Sequence, residues 1–174
     1  SATITPPVIC ICMPGYCENA LVEGLKENAK AMYDSVYQIM HHLRPRELDE
    51  LGLEQALKEG RFKSLLSKAS IKYIAEINLS SAISDEHQTA IYRICQEAVT
   101  NSVKHSTATE LRLRLAAHEQ YIRLTIMDNG KTKTTQQESG GYGLSFIEER
   151  VIALGGTYTI TEIDGFKIEV YFDI

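Results

Sequence analysis

Apolar residues recur at alternating spacings of three and four along residues 22–43, the pattern of a helix in a coiled coil or a helical bundle. This apolar seam consists of Val22, Leu25, Ala29, Met32, Val36, Ile39 and Leu43. Water does not satisfy a seam three heptads long, so the pattern favours packing against a partner helix from a second subunit. The alternative is a helix that lies on its own domain.

Prolines set the limits of this helix. We expect it to end at Arg44-Pro45, because proline disfavours helical geometry in the residue before it. The first eighteen residues contain three prolines and are poor helix material. Beyond Pro45, Asp49 is predicted to cap a short helix whose apolar positions are Leu51, Leu53, Ala56 and Leu57.

The remainder of the chain alternates between strand and helix periods. Strands are predicted over 71–77, 111–115 and 122–126, and a short hairpin joins the last two. Ser84 is predicted to cap a long helix that reaches about His105, and another helix is predicted over about 144–154. A polar loop (131–139) and a closing hairpin (157–161 with 166–172) complete the order. Helices and antiparallel strands of this kind predict an α+β fold, a two-layer α/β sandwich.

Composition and charge narrow the function classes. The chain has 174 residues, of which 44% are hydrophobic and 24% charged, as in ordinary globular proteins. Its net charge of −5 argues against direct nucleic-acid binding, and no apolar run predicts membrane contact from this chain. The four cysteines form no CxxC pair and have no histidine at zinc-finger spacing, so we expect thiols in the cytoplasm.

Polar chemistry concentrates on one side of the long helix. At 100° per residue, Glu97, Asn101 and Lys104 fall within about 60° of one another, beside the apolar stripe. An asparagine oxygen suits Mg²⁺, a lysine can neutralise phosphate oxygens, and a carboxylate can orient a water or hydroxyl. The alternative is a solvated helix face with an internal ion pair.

Two glycine-containing segments add to this pattern. Asp128-Asn129-Gly130 follows a buried strand, where a carboxylate can accept from an exocyclic amine and a glycine lets a flat ring approach. Ser139–Leu144 runs glycines into a helix, and backbone N–H groups at a helix N-terminus can bind an anion. Taken alone, the first segment is a common turn and the second a flexible lid hinge.

The order of these elements resembles the histidine-kinase ATP-binding domain, of the superfamily shared with gyrase and the MutL-type ATPases. Residues 96–105 resemble its N box, 128–130 its G1 box, and 141–144 with Glu149-Arg150 its G2 box. Leu43-Arg44-Pro45 with residues 48–53 resembles the junction of UhpB/NarX/DesK-like sensor histidine kinases. The resemblance implies an irregular or partial first bundle segment over 1–18, a dimerisation helix and linker over 19–60, and an ATP-binding catalytic domain over 61–174.

The resemblance also implies roles for individual residues. Catalytic roles fall to Glu97, Lys104 and His105, with Asn101 as the Mg²⁺ ligand. The remaining ATP-binding positions are Asp128, Gly130, Gly141, Tyr142, Gly143 and Leu144. ATP and Mg²⁺ are the implied cofactors, and the implied partners are a second copy, bound through the heptad helix, and a response regulator. The chain is expected to be a cytoplasmic part of an inner-membrane sensor protein.

Three features of the sequence depart from the family pattern. Thr132 stands where the G1 box usually has its second glycine, and Gly165-Phe166 replaces a Gly-Thr whose hydroxyl supports the adenine-binding aspartate. Losing such a partner typically costs ~1–3 kcal/mol, enough to weaken ATP binding tenfold or more. No His-Asp or His-Glu pair precedes the heptad helix, and His41-His42 lies at its end. The phosphoacceptor histidine is therefore expected outside this chain.

Three functions remain after this comparison, and the Leu43-Arg44-Pro45 junction with the heptad helix disfavours one of them, an ATPase that uses nucleotide-driven dimer closure like the gyrase relatives. Of the other two, the first is the catalytic region of a histidine kinase, which transfers the ATP γ-phosphoryl group to a histidine and on to a response-regulator aspartate. The alternative, favoured by Thr132 and Phe166, is a degenerate dimerisation or docking module with weak or no ATP binding.

Overall fold

The computed structural model describes residues 22–29, 31–32, 35, 43–131, 142–162 and 165–174. The chain divides into two compact units, Ser1–Leu43 and Arg44–Ile174. In the first unit the described residues from 22 to 35 are helical, as predicted. Val22, Leu25 and Met32 of the apolar seam are exposed in the single chain. Residues 1–18 and His41-His42 lie outside the described residues, and the packing partner of the seam stays a prediction.

The second unit is built on one five-stranded sheet. Its elements are α1 (Arg46–Glu59), α2 (Arg61–Lys68), β1 (Lys72–Leu79), α3 (Asp85–His105), β2 (Glu110–Ala117), β3 (Tyr121–Asp128), α4 (Tyr142–Ala153), β4 (Thr157–Thr161) and β5 (Lys167–Asp173). The strand order is β1-β2-β3-β5-β4. This confirms the α+β class and the two predicted hairpins, β2–β3 and β4–β5.

One strand pair differs from the expectation of antiparallel strands. β1 and β2 pair in parallel, whereas the other three pairs are antiparallel. The reason is the connection between them, because α3 carries the chain back along the sheet and a helical crossover joins parallel strands. The C-terminal end of α3 thereby lies beside the C-terminal end of β3.

Alternation along the strands produces a single buried face. In β2 and β3 every second residue is buried, and β5 continues the same face. The residues on this face are Leu111, Leu113, Leu115, Ile122, Leu124, Ile126, Ile168, Val170 and Phe172. They pack in one cluster with the apolar stripe of α3. Asp128 continues the alternation of β3 as its last buried position, so this carboxylate is directed into the layer between sheet and helices.

The residues just before the sheet belong to the same unit as the sheet. Leu48, Leu53, Ala56 and Leu57 of α1 are buried in the common core. The observed boundary therefore lies between Leu43 and Arg44, whereas the sequence assigned residues up to 60 to the linker. The predicted cap at Asp49 is wrong, because the helix begins at Arg46 after Pro45, and the Asp49 carboxylate accepts from Arg44 instead.

Helix α3 has the predicted start and end signals. The Ser84 hydroxyl accepts a hydrogen bond from the His87 backbone N–H, which confirms the predicted cap. Acidic residues occupy the first turn and Lys104 and His105 the last, which complements the helix dipole. In the described part of the chain, no helix has both the length and the apolar character needed to cross a membrane.

Candidate nucleotide site at the end of the central helix

The centre of the site is the carboxylate of Asp128, which is only 5% exposed. Its Oδ2 accepts from the Ser102 hydroxyl at 2.6 Å. Its Oδ1 accepts from the Ser106 hydroxyl at 3.1 Å and from the Gly130 backbone N–H at 2.9 Å. The Ser102 hydroxyl of α3, the Ser106 hydroxyl just beyond its end and one amide from the turn after β3 thus fix the carboxylate plane. A buried carboxylate needs such donors, because an unsatisfied one would cost several kcal/mol.

Two glycines allow the backbone segments around Asp128 to approach one another. A Cβ at Gly130 would lie 2.0 Å from the Ser106 hydroxyl and 2.3 Å from the Ala108 nitrogen. A Cβ at Gly165 would lie 2.0 Å from the Asp128 carbonyl oxygen, and its φ of 128° also favours glycine. The sequence analysis predicted that the space left by the absent side chain of Gly130 admits a flat ring. In the structure that space is taken by Ser106 and Ala108.

Asn129 stabilises the turn after β3 through hydrogen bonds of its side chain. Its Oδ1 accepts from the backbone N–H groups of Thr109 and Glu110, each at 2.9 Å, and its Nδ2 donates to the Thr109 hydroxyl. The Asn129 backbone N–H donates to the Glu110 carbonyl at 3.3 Å. These bonds join the residue after β3 to the start of β2, directly next to Asp128.

The other predicted side chains of α3 lie along the same helix at regular spacing. Glu97 and Asn101 are half-buried, whereas Lys104 and His105 are exposed. The Asn101 amide makes no hydrogen bond to any residue that the structure describes, although its neighbour Ser102 is fully engaged. A half-buried amide of this kind is an available oxygen ligand for a hard cation, while Lys104 and His105 supply positive charge at the helix end.

The predicted G2 residues are only partly described. Gly141 lies outside the described residues, and for Tyr142 and Gly143 only the helical backbone is described. Helix α4 begins at Tyr142, two residues earlier than predicted, so Gly143 lies in its first turn. Leu144 is half-buried and packs against the core. Anion binding by this helix start therefore stays a prediction.

Ser102 and Ser106 are the site residues that sequence reasoning missed. Ser102 falls on the apolar stripe of α3, where a serine passes for a small core residue. The available signal was the spacing of four residues between two hydroxyls, one turn apart, at the helix end that follows Asn101. Pairing them with Asp128 required the register of β3 against α3.

The absence of a hydroxyl at position 166 leaves neither oxygen of Asp128 without a donor. Phe166 is half-buried and packs against the core. Its carbonyl oxygen accepts from the Asp128 backbone N–H at 2.9 Å. The closing hairpin thus contacts the aspartate through its backbone, and the hydroxyls of Ser102 and of the cap residue Ser106 contact its side chain. Thr132, the other departure, lies outside the described residues.

Cys95 has no part in this chemistry. It is fully buried in α3, and burial raises the pKa of its thiol far above the ordinary range. The thiol therefore stays protonated and cannot act as a nucleophile or metal ligand. Among the described residues no group of three His, Cys, Asp or Glu side chains is placed to hold a metal ion. A cation here would depend on the Asn101 amide and on oxygens of its own ligand.

The chain matches a known family over its second half. The family described as histidine kinase-, DNA gyrase B- and HSP90-like ATPases matches residues 86–174. The histidine-protein kinase/phosphatase UhpB of Salmonella typhimurium is 32% identical over 147 residues, which are 84% of this chain and 29% of that protein. The sensor kinase LiaS of Bacillus subtilis is 32% identical over 131 residues, 73% of this chain and 35% of that protein. The chain thus spans about a third of the length of these relatives.

Solved structures share the fold. The histidine kinase domain of the Erythrobacter litoralis blue-light-activated kinase has a TM-score of 0.55 at 17% identity, covering 73% of this chain and 68% of that one. Full-length ShkA in complex with AMPPNP has a TM-score of 0.56 at 18% identity, covering 89% of this chain and 38% of that one. At these identities the likeness concerns the fold.

Proposed function

Because this chain belongs to the histidine kinase-, DNA gyrase B- and HSP90-like ATPase family, we propose that it binds ATP with Mg²⁺ as the catalytic region of a two-component sensor kinase. The observation that supports this most is the buried Asp128 carboxylate, oriented by three donors at the end of β3. A fixed acceptor in a nearly dry position suits recognition of the exocyclic amine of adenine.

The phosphate end of the nucleotide would lie along the polar side of α3. Asn101 offers a free amide oxygen, and Mg²⁺ is held in proteins by one or two oxygen ligands together with substrate phosphates. Bound there, the ion would neutralise charge on the phosphates. Lys104 and His105 are exposed at the helix end and would attract the same charge, while the Glu97 carboxylate would position a water or hydroxyl.

The γ-phosphoryl group would pass to a histidine and then to a response-regulator aspartate. UhpB is named a histidine-protein kinase/phosphatase, and the chain spans 29% of its length, so the acceptor histidine is proposed to lie elsewhere in a longer protein or in a partner. Dimerisation through the helical seam would bring the two together. Phosphoryl transfer depends mainly on positioning and charge neutralisation, which these residues could supply.

Titration with ATP, in the presence and absence of Mg²⁺, tests the binding step. We expect saturable binding that weakens at least tenfold in Asp128→Asn, because one acceptor oxygen is lost from a buried site. The matched control is Asp173→Asn, which removes an exposed carboxylate at the end of β5. The chain alone should not autophosphorylate, whereas addition of an acceptor-containing partner should restore transfer.

The degenerate docking module is the second candidate, and Phe166 in place of a threonine is the observation that favours it. It predicts no ATP binding at millimolar concentration and no difference between wild type and Asp128→Asn. Retained seam-dependent dimerisation under those conditions would establish this alternative.

A further inference from the structure

Ser102 uses its hydroxyl differently from the two threonines of α3. Thr89 and Thr100 donate back to carbonyls four residues earlier, Asp85 and Gln96, at 2.8 and 2.7 Å. This is the usual local bond of a helical hydroxyl. The Ser102 hydroxyl instead donates across 26 positions of sequence to Asp128 Oδ2. Ser102 is only 2% exposed, so its bond is shielded from competing water.

The hydrogen bonds of Asp128 are divided unequally between its two oxygens. A carboxylate offers about four acceptor positions, two on each oxygen. Ser106 and Gly130 occupy both positions on Oδ1, and Ser102 occupies one on Oδ2. Among the described residues, therefore, one acceptor position remains, and it lies on the oxygen whose orientation Ser102 fixes.

We propose that Ser102 is a positioning residue: its hydroxyl holds Asp128 Oδ2 in place, so that the remaining lone pair would meet the 6-amino group of the base. This inference rests on the proposed function, since it specifies how the same site would recognise the base. A ligand N–H suits the remaining acceptor position on Oδ2 because it is a hydrogen-bond donor. A ring with a C–H or a hydrogen-bond acceptor at that position leaves the lone pair unsatisfied. In a buried site this strongly favours a base that carries an amino group over one that does not.

A hydroxyl could also reach Asp128 from the position of the closing hairpin whose backbone it contacts. In this chain that position is Phe166, whose backbone lies next to Asp128 through a 2.9 Å bond from the Asp128 N–H. The hairpin is held close because Gly165 permits contact with the Asp128 carbonyl. A threonine side chain at 166 would therefore start beside the carboxylate. The two sources of a hydroxyl are exchangeable in principle, and this makes a rescue experiment possible.

Calorimetric titration of the full chain with two nucleotides, both with Mg²⁺, tests the proposal. ATP carries the 6-amino group, and purine riboside triphosphate lacks only that group. For Ser102→Ala we expect ATP affinity to fall about tenfold and purine riboside triphosphate affinity to change less than twofold. The ratio of the two affinities should thus fall about tenfold. Adding Phe166→Thr to Ser102→Ala should recover a large part of the ratio.

Matched variants separate positioning from general damage. Thr100→Val removes a hydroxyl from the same helix that does not touch Asp128, so its ratio should equal that of the wild type. If Ser102→Ala does not fold, Ser102→Cys has nearly the same shape with a weak donor and should give the same direction of change.

Each outcome has a distinct meaning. An equal loss for both nucleotides, or no loss for either, overturns the role of Ser102 while leaving ATP binding intact. A wild-type chain that binds neither nucleotide overturns the proposed function, and the inference with it. A wild type that prefers ATP and a Ser102→Ala variant that does not are the results that support the assignment.

Discussion

The two ends of α3 use their polar side chains in opposite ways. At the N-terminal end, Asp85 and Gln88 accept from Arg44, and Tyr92 donates to Glu47. At the C-terminal end, Asn101 has no hydrogen bond and Lys104 and His105 have no ion pair among the described residues. The first end holds α1 and α2 to the domain, and the second leaves polar groups available. One helix therefore holds its neighbours at one end and presents polar side chains at the other.

The difference is visible in what each end contacts. Glu47 accepts from the Tyr92 hydroxyl and, at 2.8 Å, from the backbone N–H of Arg61 at the start of α2. It thereby joins three helices. At the other end of α3, Ser102 and the cap residue Ser106 also donate to a distant residue, but both donate to the same carboxylate. That carboxylate is the only buried acidic group among the described residues, and a group so costly to bury is more characteristic of a site than of a scaffold.

The largest expected effect is on stability, at the N-terminal end. Glu47→Ala leaves the buried Tyr92 hydroxyl and the first N–H of α2 without an acceptor, so we expect the free energy of unfolding to fall by about 2–4 kcal/mol. Urea denaturation at fixed pH measures this change. Nucleotide affinity should stay within twofold of wild type at temperatures where the variant is folded.

The control for Glu47 lies on the same helix. Glu50 forms an exposed i,i+4 ion pair with Arg46, and Glu50→Ala should cost less than about 0.5 kcal/mol. A similar cost for both variants would show that the contacts of Glu47 do not hold the three helices together, and the contrast between the two ends would weaken.

The next effect is on binding, at the C-terminal end. Asn101→Ala removes an amide with no hydrogen bond to the described residues, so the free energy of unfolding should change by less than about 0.5 kcal/mol. ATP affinity in Mg²⁺ should fall about tenfold, with a much smaller change in EDTA, because the lost group is the proposed metal ligand. Asn78→Ala, at an exposed position of β1, is the control. Equal losses with and without Mg²⁺ would remove Asn101 from the metal site.

Much of the fold could be predicted because single residues determine local structure. Alternation placed β2 and β3 correctly, and a serine before an acidic turn placed the start of α3. Asp128 was found for the same reason, since it ends an alternating strand. The parallel pairing of β1 with β2 was missed, because strand alternation is the same for either direction and only the crossover decides it.

The rest depended on contacts distant in sequence. A serine on an apolar stripe gives no sign of the carboxylate it will contact 26 residues later, so sequence reasoning did not assign Ser102 to the site. Asp49 has the residue type of a helix cap, yet the helix begins earlier, after Pro45. The Asp49 carboxylate forms an ion pair with Arg44 instead. In both cases a tertiary partner overrides a local preference, and sequence periods contain no information about that partner.

The smallest effect concerns the middle of α3, between the two ends, and it is a pH dependence. Cys95 is fully buried, and burial raises its pKa far above that of an unfolded thiol, about 8.5. The folded state thus keeps a proton that the unfolded state loses above about pH 8.5. Stability contributed by the neutral thiol is complete below that pH and declines above it, by up to ~1.4 kcal/mol per pH unit.

Comparison of wild type with Cys95→Ala isolates this dependence, because the other three thiols are the same in both. Unfolding free energies measured from pH 7.5 to 9.5 under reducing conditions should fall more steeply for the wild type, so the two curves converge as pH rises. Parallel curves would mean that water reaches the thiol. The middle of α3 would then be accessible to water. We would no longer expect a substitution at one end of the helix to leave the contacts at the other end unchanged.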